Sequence, residues 1–441
     1  TYLIHALVNH TGTSVLPDGD KFRTYPAISA AWVISNENFM KKATVIDYLK
    51  LRASYGRAGW DNISYELDRQ YWAWGGAYWF GDANTQSEGM KEDKLAMNNL
   101  TLEVSDKYNI GLEMRLFKRL NLSVDAYMDK RSKMPVSGSN VISSAIGISI
   151  PQQNNGKTEY KGIDLGIDWK DKVGKDFTYY VGGTLNYIRT EVIENGEGYI
   201  PYDYLSGKGL PDGQLFGLEA IGYFRDEADI ANSPQQMFSE VRPGDIKYKD
   251  VNGDGVINNN DRVAVGNTNR PSFVYGMGIS ANWKGLDASV HFQGTGKSSF
   301  FINGVLVHPF SRGTWGNVST DVVNSSRWIS RDISGDPATE NPNAVYPRLK
   351  FGGENNVNNN QYSTHWLRNG SYLRLKTVEI GYTLPKNIVS KIRFSKIRLF
   401  FTGTNLLTFS KFKLWDPEPR SNDGSFYPIT KSVTFGLNIS L

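Results

Sequence analysis

The sequence closes on SVTFGLNISL, in which Val433, Phe435, Leu437, Ile439 and Leu441 alternate one for one with Ser432, Thr434, Gly436, Asn438 and Ser440. A period of two places successive side chains on opposite faces, so this segment is a strand with one apolar and one polar face. The pattern recurs. In SFVYGMGISANW, Phe273, Tyr275, Met277, Ile279, Ala281 and Trp283 share a face opposite Val274, Gly276, Gly278, Ser280 and Asn282. KGIDLGIDW sets Ile163, Leu165, Ile167 and Trp169 against Gly162, Asp164, Gly166 and Asp168, and LNLSVDAYM and YNIGLEMRL behave alike. About twelve strands are expected by this test. They fall near residues 1–9, 22–35, 47–58, 104–116, 120–130, 158–170, 176–190, 271–284, 285–297, 372–384, 396–408 and 432–441.

The connections alternate in length. FKRLN, WKDKVGKD and WKGLD are short, TLPKNIVSKIRFSK and SNENFMKKATVID somewhat longer, whereas 59–103, 131–157, 191–270, 298–371 and 409–431 are long and rich in Asn, Gly, Ser and aromatics. Short turns at one end and long loops at the other are the pattern of a transmembrane antiparallel β-barrel with large extracellular loops. The strands suit a tilted bilayer crossing. Trp32, Trp169, Tyr187, Trp283 and Tyr382 recur near strand ends, where aromatic girdles sit. A soluble sandwich or propeller also alternates, but the consistently long loop class and the lack of a blade-length repeat point to the barrel.

The polar face then lines the lumen. It carries Lys50, Arg52, Glu113, Arg115, Asp125, Asp164, Asp168, Asp287, His291, Glu379 and Arg398. A narrow barrel fills its interior with packed side chains, and buried unpaired charges are costly. So many charges imply a wide barrel holding water or a polar plug, with the strands seen here forming only part of its wall.

Composition excludes other classes. No apolar run approaches the roughly 20 residues of a spanning helix. Cysteine is absent, which removes disulfides and thiol chemistry. The net charge of +4 is spread thinly with no basic stripe, so nucleic acid is not an expected partner. The chain begins at Thr1 without Met or a signal peptide, as expected of a mature form or a piece of a longer protein.

DVNGDGVINNND, residues 250–261, has the ligand order of a calcium loop without flanking helical patterns. Asp250, Asn252, Asp254 and Asp261 would give side-chain oxygens, Val256 its carbonyl, and Asn258 a direct or water-mediated contact. Ile257 would anchor the loop. The ion would be structural; the alternative is an Asn/Asp/Gly turn that satisfies its own backbone and binds nothing. In YWAWGGAYWF, residues 71–80, Trp72, Trp74 and Trp79 could stack against a substrate's sugar rings, or instead form the loop's own core or its contact with another protein. GTGKSS at 294–299 lacks the first glycine of a phosphate loop, since position 291 is His, and no helical pattern follows. The histidines (His5, His10, His291, His308, His365) have no zinc-ligand spacing, and no Gly-x-Ser-x-Gly nucleophile motif occurs. The chain is not expected to be an enzyme or to need an organic cofactor.

Several stretches, taken in order, resemble the C-terminal part of the SusC/RagA family of TonB-dependent outer-membrane transporters of Bacteroidetes. They are SAAWVIS at 29–35, LKLRASYGRAG at 49–59, GDIKYKDVNGDGVINNNDRVAVGN at 244–267, YLRLKTVEIGYTLP at 372–385, FTGTNLLTFSKF at 401–412 and the terminal YPITKSVTFGLNISL. The resemblance implies that residues 1–441 are the C-terminal portion of a 22-stranded barrel whose plug domain and TonB-contacting segment lie upstream. It further implies active import of glycans or peptides across the outer membrane, a SusD-like surface lipoprotein as a lid, and room for a dimer of such pairs. Leu441 departs from the Phe that commonly ends outer-membrane proteins, though it stays apolar and in register. A secreted soluble β-rich protein that binds or degrades carbohydrate, and a passive porin, are the alternatives.

Overall fold

The computed structural model describes residues 1–441 except 62, 64–66, 83–84, 98–99, 138–147, 149–151, 311–317 and 352–355, so parts of the loops 59–103, 131–157 and 298–371 lie outside the described residues. Twelve long strands are hydrogen-bonded in chain order as one sheet. They are β1 (Tyr2–Gly12), β2 (Phe22–Val33), β3 (Ile46–Trp60), β4 (Glu103–Leu116), β5 (Leu120–Val136), β6 (Gln153–Val173), β7 (Phe177–Glu194), β8 (Phe273–Trp283), β9 (Leu286–Gly296), β10 (Tyr372–Thr383), β11 (Lys396–Ser410) and β12 (Ser432–Ser440). β1 and β12 are its edges.

The number and order of strands follow the sequence expectation; their ends do not. β5, β6 and β7 run further toward the long loops, with Met134 opposite Gly156 and Val136 opposite Gln153. The alternation fades there because both faces are polar once a strand leaves the hydrocarbon, yet the backbone ladder continues. Tyr187 therefore lies well inside β7 rather than at its end.

At the short end the chain reverses with little backbone to spare. Lys284 and Gly285 join β8 to β9 with φ of +48° and +90°, the left-handed pair that a two-residue hairpin needs to match strand twist. A Cβ on Gly285 would lie 2.6 Å from the Thr383 carbonyl oxygen.

Two compact units partition the contacts. In the first (Thr1–Asp171, Gly182–Ile200, Ser206–Asp212), cross-strand rows such as Leu51–Leu112–Val124 and Ala53–Ile110–Ala126 make the apolar face. Leu16, Leu67, Met97, Leu100 and Leu102 form a small buried cluster under its loops. In the second (Lys172–Val181, Pro201–Leu205, Gly213–Leu441), Trp283–Leu286–Tyr382–Leu399–Leu437 and Ala281–Ala288–Ile380–Phe401–Phe435 form apolar rows, while Ser280–Ser289–Glu379–Thr402–Thr434 runs along the other face. Its loops fold around Leu218, Ile246, Tyr248, Ile257, Phe300, Trp328 and Trp366, all buried.

The apolar rows are not buried: Ile279 is 57% exposed, and Ile380, Leu399, Phe435 and Leu437 are also exposed. A sandwich would cover that face with a second sheet; a membrane strand leaves it to lipid. Placing Arg at Ile279 should therefore cost about 2–4 kcal/mol of assembly stability near the bilayer midplane, while Ser280→Arg, on the opposite face, is mild. Yield of folded, heat-modifiable protein in outer-membrane fractions measures the difference, and equal tolerance of the two would rule out this orientation.

Candidate functional site

The polar face of the sheet carries charges in matched sets. In the first unit Lys50 lies 3.3 Å from Glu113, and Arg52 lies 3.2 Å from Glu113 and 2.7 Å from Asp125. Gly111 sits beneath this set because a Cβ there would come within 2.5 Å of Asp125 and 2.7 Å of the Arg52 Nε. In the second unit Arg398 bridges Asp287, at 3.0 Å from its Nε, and Glu379 at 2.5 Å. Asp164 accepts from Asn186, and Asp168 accepts from Asn121 at 2.8 Å. Lys50–Glu113, Arg52–Glu113, Arg398–Glu379 and the two Asn–Asp bonds join neighbouring strands, whereas Arg52–Asp125 and Arg398–Asp287 each reach across an intervening strand, so the wall neutralises its own charge while staying wet.

Residues 250–261 form a tight loop held by its own carboxylates. Asp250 accepts from the N–H groups of Gly253 (2.7 Å) and Gly255 (2.9 Å), whose φ values are +74° and +82°. Asn252 accepts from Asp254 N–H (3.1 Å), Asp254 from Val256 (2.8 Å) and Asn258 from Asn260 (2.7 Å). Asp261 is fully buried, one oxygen accepting from Val251 and the other from Asn258. Val256 and Ile257 pair with Gln235 and Gln236, and Ile257 is fully buried in the loop core, the anchoring role expected of it. Among the described residues no three acidic or histidine side chains converge on a point where an ion could sit.

The aromatic stretch is a hairpin, Tyr71–Phe80 with Thr85–Lys94, where the sequence suggested only a loop. Its register puts Trp72 opposite Glu92, Trp74 opposite Met90 and Trp79 opposite Gln86. Plain alternation would send Trp79 to the far face from Trp72 and Trp74. A bulge between Trp74 and Ala77 adds a residue and brings all three to one face. Gly75-Gly76 inside an aromatic run was the sequence signal for that bulge. All three rings are exposed, at 55%, 72% and 57%, so they do not form a buried loop core.

Two further features were not read from the sequence. Trp366 is buried with the rings of His308 and His365 each edge-on to it at 4.5 Å. A cavity of about 560 Å3 opens among loop residues that include Asn303, Tyr362, Arg420 and Phe426; only the polar cluster RSNDGS hints at it.

A family model described as "TonB dependent receptor-like, beta-barrel" matches residues 8–406. TonB-dependent receptor P26 of Formosa agariphila is 29% identical over 100% of this chain and 44% of its own length. TonB-dependent receptor SusC of Bacteroides thetaiotaomicron is 25% identical over 100% of the chain and 42% of its own length. The RagAB peptide importer in its closed-closed state superposes with a TM-score of 0.75 at 21% identity, covering 100% of this chain and 46% of that one. The chain thus spans less than half the length of the relatives it matches.

Burial pushes the imidazoles of His308 and His365 down to about 4. Between their ordinary value of 6.5 and about 4 the unfolded loop binds protons that the folded loop does not, so folded stability falls as pH drops through that window. Each unit of difference is worth about 1.4 kcal/mol. Once corrected for the intrinsic pH dependence of amide exchange, the protection of peptides covering 303–310 and 363–369 should fall from pH 7 to pH 5, and His308→Gln should flatten the response. Exchange protection that ignores pH over this range rules the effect out.

Proposed function

The chain belongs to the TonB-dependent receptor-like β-barrel family of the bacterial outer membrane, and from that premise we propose that it is wall and outer loops of a SusC/RagA-type importer. The observation that carries the reading is the sheet's two-sidedness, apolar rows open to lipid against charge-matched rows facing water. The cargo is an oligosaccharide or a peptide, drawn in by energy passed from a TonB system. A SusD-like lipoprotein is the proposed partner over the loops. The shared face of Trp72, Trp74 and Trp79 supports contact with cargo or lid, since exposed rings give broad apolar area at little entropic cost.

The edges β1 and β12 support further strands in the complete protein, because a row of unpaired backbone groups in hydrocarbon costs several kcal/mol per group. Growth of the native bacterium on its inducing polymer, with labelled cargo, tests the import reading. Uptake should stop when TonB is deleted or the proton gradient is collapsed. Uptake that survives both would make the protein a passive porin.

For residues 250–261 the proposal includes a structural calcium ion. The order of oxygen donors supports it, and a carboxylate oxygen accepting one N–H retains a second acceptor direction. The hydrogen bonds within the loop supply the competing account, in which the turn is complete without metal. Limited proteolysis of the full-length protein should show faster cleavage near 250–261 in chelator than in calcium, and Asp254→Ala should erase the difference. Identical cleavage in both conditions removes the ion.

A further inference from the structure

The cavity in the second unit is built from loop segments that are fixed before any ligand arrives. Arg374, only 1% exposed, clamps Asp416 at 2.6 Å and Glu418 at 3.1 Å. Asp416 also accepts from the Glu418 N–H. Trp415 folds the next turn onto itself by donating from Nε1 to the Ser421 carbonyl (3.1 Å), and its ring packs on Gly424, whose φ is +74°. Between these anchors Arg420 is held at φ +51° with Nε donating to Ser298 Oγ at 3.1 Å. A left-handed non-glycine residue is a strained position that persists only where its surroundings enforce it.

This frame presents planar polar groups whose hydrogen-bonding capacity is only partly used. Asp423 spends Oδ1 on Ser421 and Ser425, at 2.6–3.0 Å, and none of those bonds uses Oδ2. Arg420 lines the cavity, and its bond to Ser298 uses only its Nε. Asn422 is exposed, and its recorded bond is made by its backbone carbonyl to Asn303 N–H. Phe426, 59% exposed, lies on the rim. The volume, about 560 Å3, falls within the range of small-molecule sites.

We propose that this cavity is a subsite for one uncharged sugar ring of an oligosaccharide cargo, a reading that rests on the import function above. A sugar hydroxyl both donates and accepts, and amide, guanidinium and carboxylate groups offer donors and acceptors at a spacing that adjacent hydroxyls can bridge. A neighbouring aromatic face covers the ring's C–H surface. The cavity holds one cation, Arg420, against one anion, Asp423, which gives a charged sugar no net attraction. Capture of a peptide by strand addition needs a free strand edge, and every lining residue lies in turn or loop, so that mode is not open here.

The test uses the full-length transporter in detergent and calorimetric titration with three probes: neutral hexose oligosaccharides, oligogalacturonate and a casein peptide digest. Neutral oligosaccharides should bind, oligogalacturonate more weakly, and Asn422→Ala and Phe426→Ala should each weaken neutral binding about tenfold. Both side chains are exposed, so both variants should fold, and unchanged near-UV dichroism checks this. Neutral binding untouched by either variant overturns the subsite, as does a wild type that binds none of the neutral probes. A loss confined to the peptide digest overturns the sugar assignment. TonB-independent uptake beside intact, variant-sensitive sugar binding would sink the import reading and leave the subsite standing.

Discussion

Within hydrocarbon no water stands ready to satisfy a backbone N–H or C=O, and that constraint sets nearly everything about this sheet. It explains why the strands pair in chain order, since a neighbour in sequence is the partner with the least loop to close. It explains why the turns at one end are as tight as Lys284-Gly285, where any slack would carry unpaired amides toward the bilayer. Register follows as well. A shift by one residue would move Ile279, Val290 and Val378 into the lumen and Ser280, Ser289 and Glu379 into lipid. The hydrophobic pattern and the ladder therefore enforce each other.

Where the strands leave the membrane, stability comes from a different source. With no cysteine in the chain, the long loops of the second unit are held by a conventional core and by a buried polar hub. Asp245, fully buried, accepts from Arg348 at 2.8 Å, Asn359 at 2.8 Å, Asn356 at 3.1 Å and the Arg242 N–H at 2.8 Å. Gln236 donates to the Ile246 carbonyl and accepts from Tyr248 N–H. A buried carboxylate satisfied on this many sides rigidifies its surroundings, because leaving any partner out exposes the full desolvation cost. The same rigidity holds the 250–261 loop, whose Ile257 plugs into the core beside this hub.

The legible part of the sequence was the part governed by a two-residue period. Strand number, order and facing were readable from Val433–Leu441 and its counterparts because lipid and water impose opposite demands on alternate residues. The hairpin 71–94 was missed because it stands outside the membrane, where both faces are polar or aromatic and no solvent contrast writes a pattern; only Gly75-Gly76 marked its bulge. His308 and Trp366 were illegible for a further reason. Their meeting depends on a packing between residues far apart in sequence, and each looks ordinary alone. The acidic loop was legible as a motif but not as a ligand set, since the residues suited to grip a cation are those suited to cap a turn.

The distribution of satisfied and unsatisfied polar groups follows the proposed division of labour. Along the wall, Arg52 with Glu113 and Asp125, and likewise Arg398 with Asp287 and Glu379, are tied up in ion pairs across strands. A passing solute offering hydroxyls or amides would have to displace charge-assisted bonds roughly twice as strong as its own neutral ones, so such a surface does not retain it. In the loops the balance reverses: Arg420, Asn422 and Asp423 are held in place by Arg374 and Trp415 yet keep hydrogen-bonding capacity in reserve. On the proposed function, affinity is thereby confined to positions outside the sheet, where binding would select a cargo, and is withheld from the face along which that cargo would move.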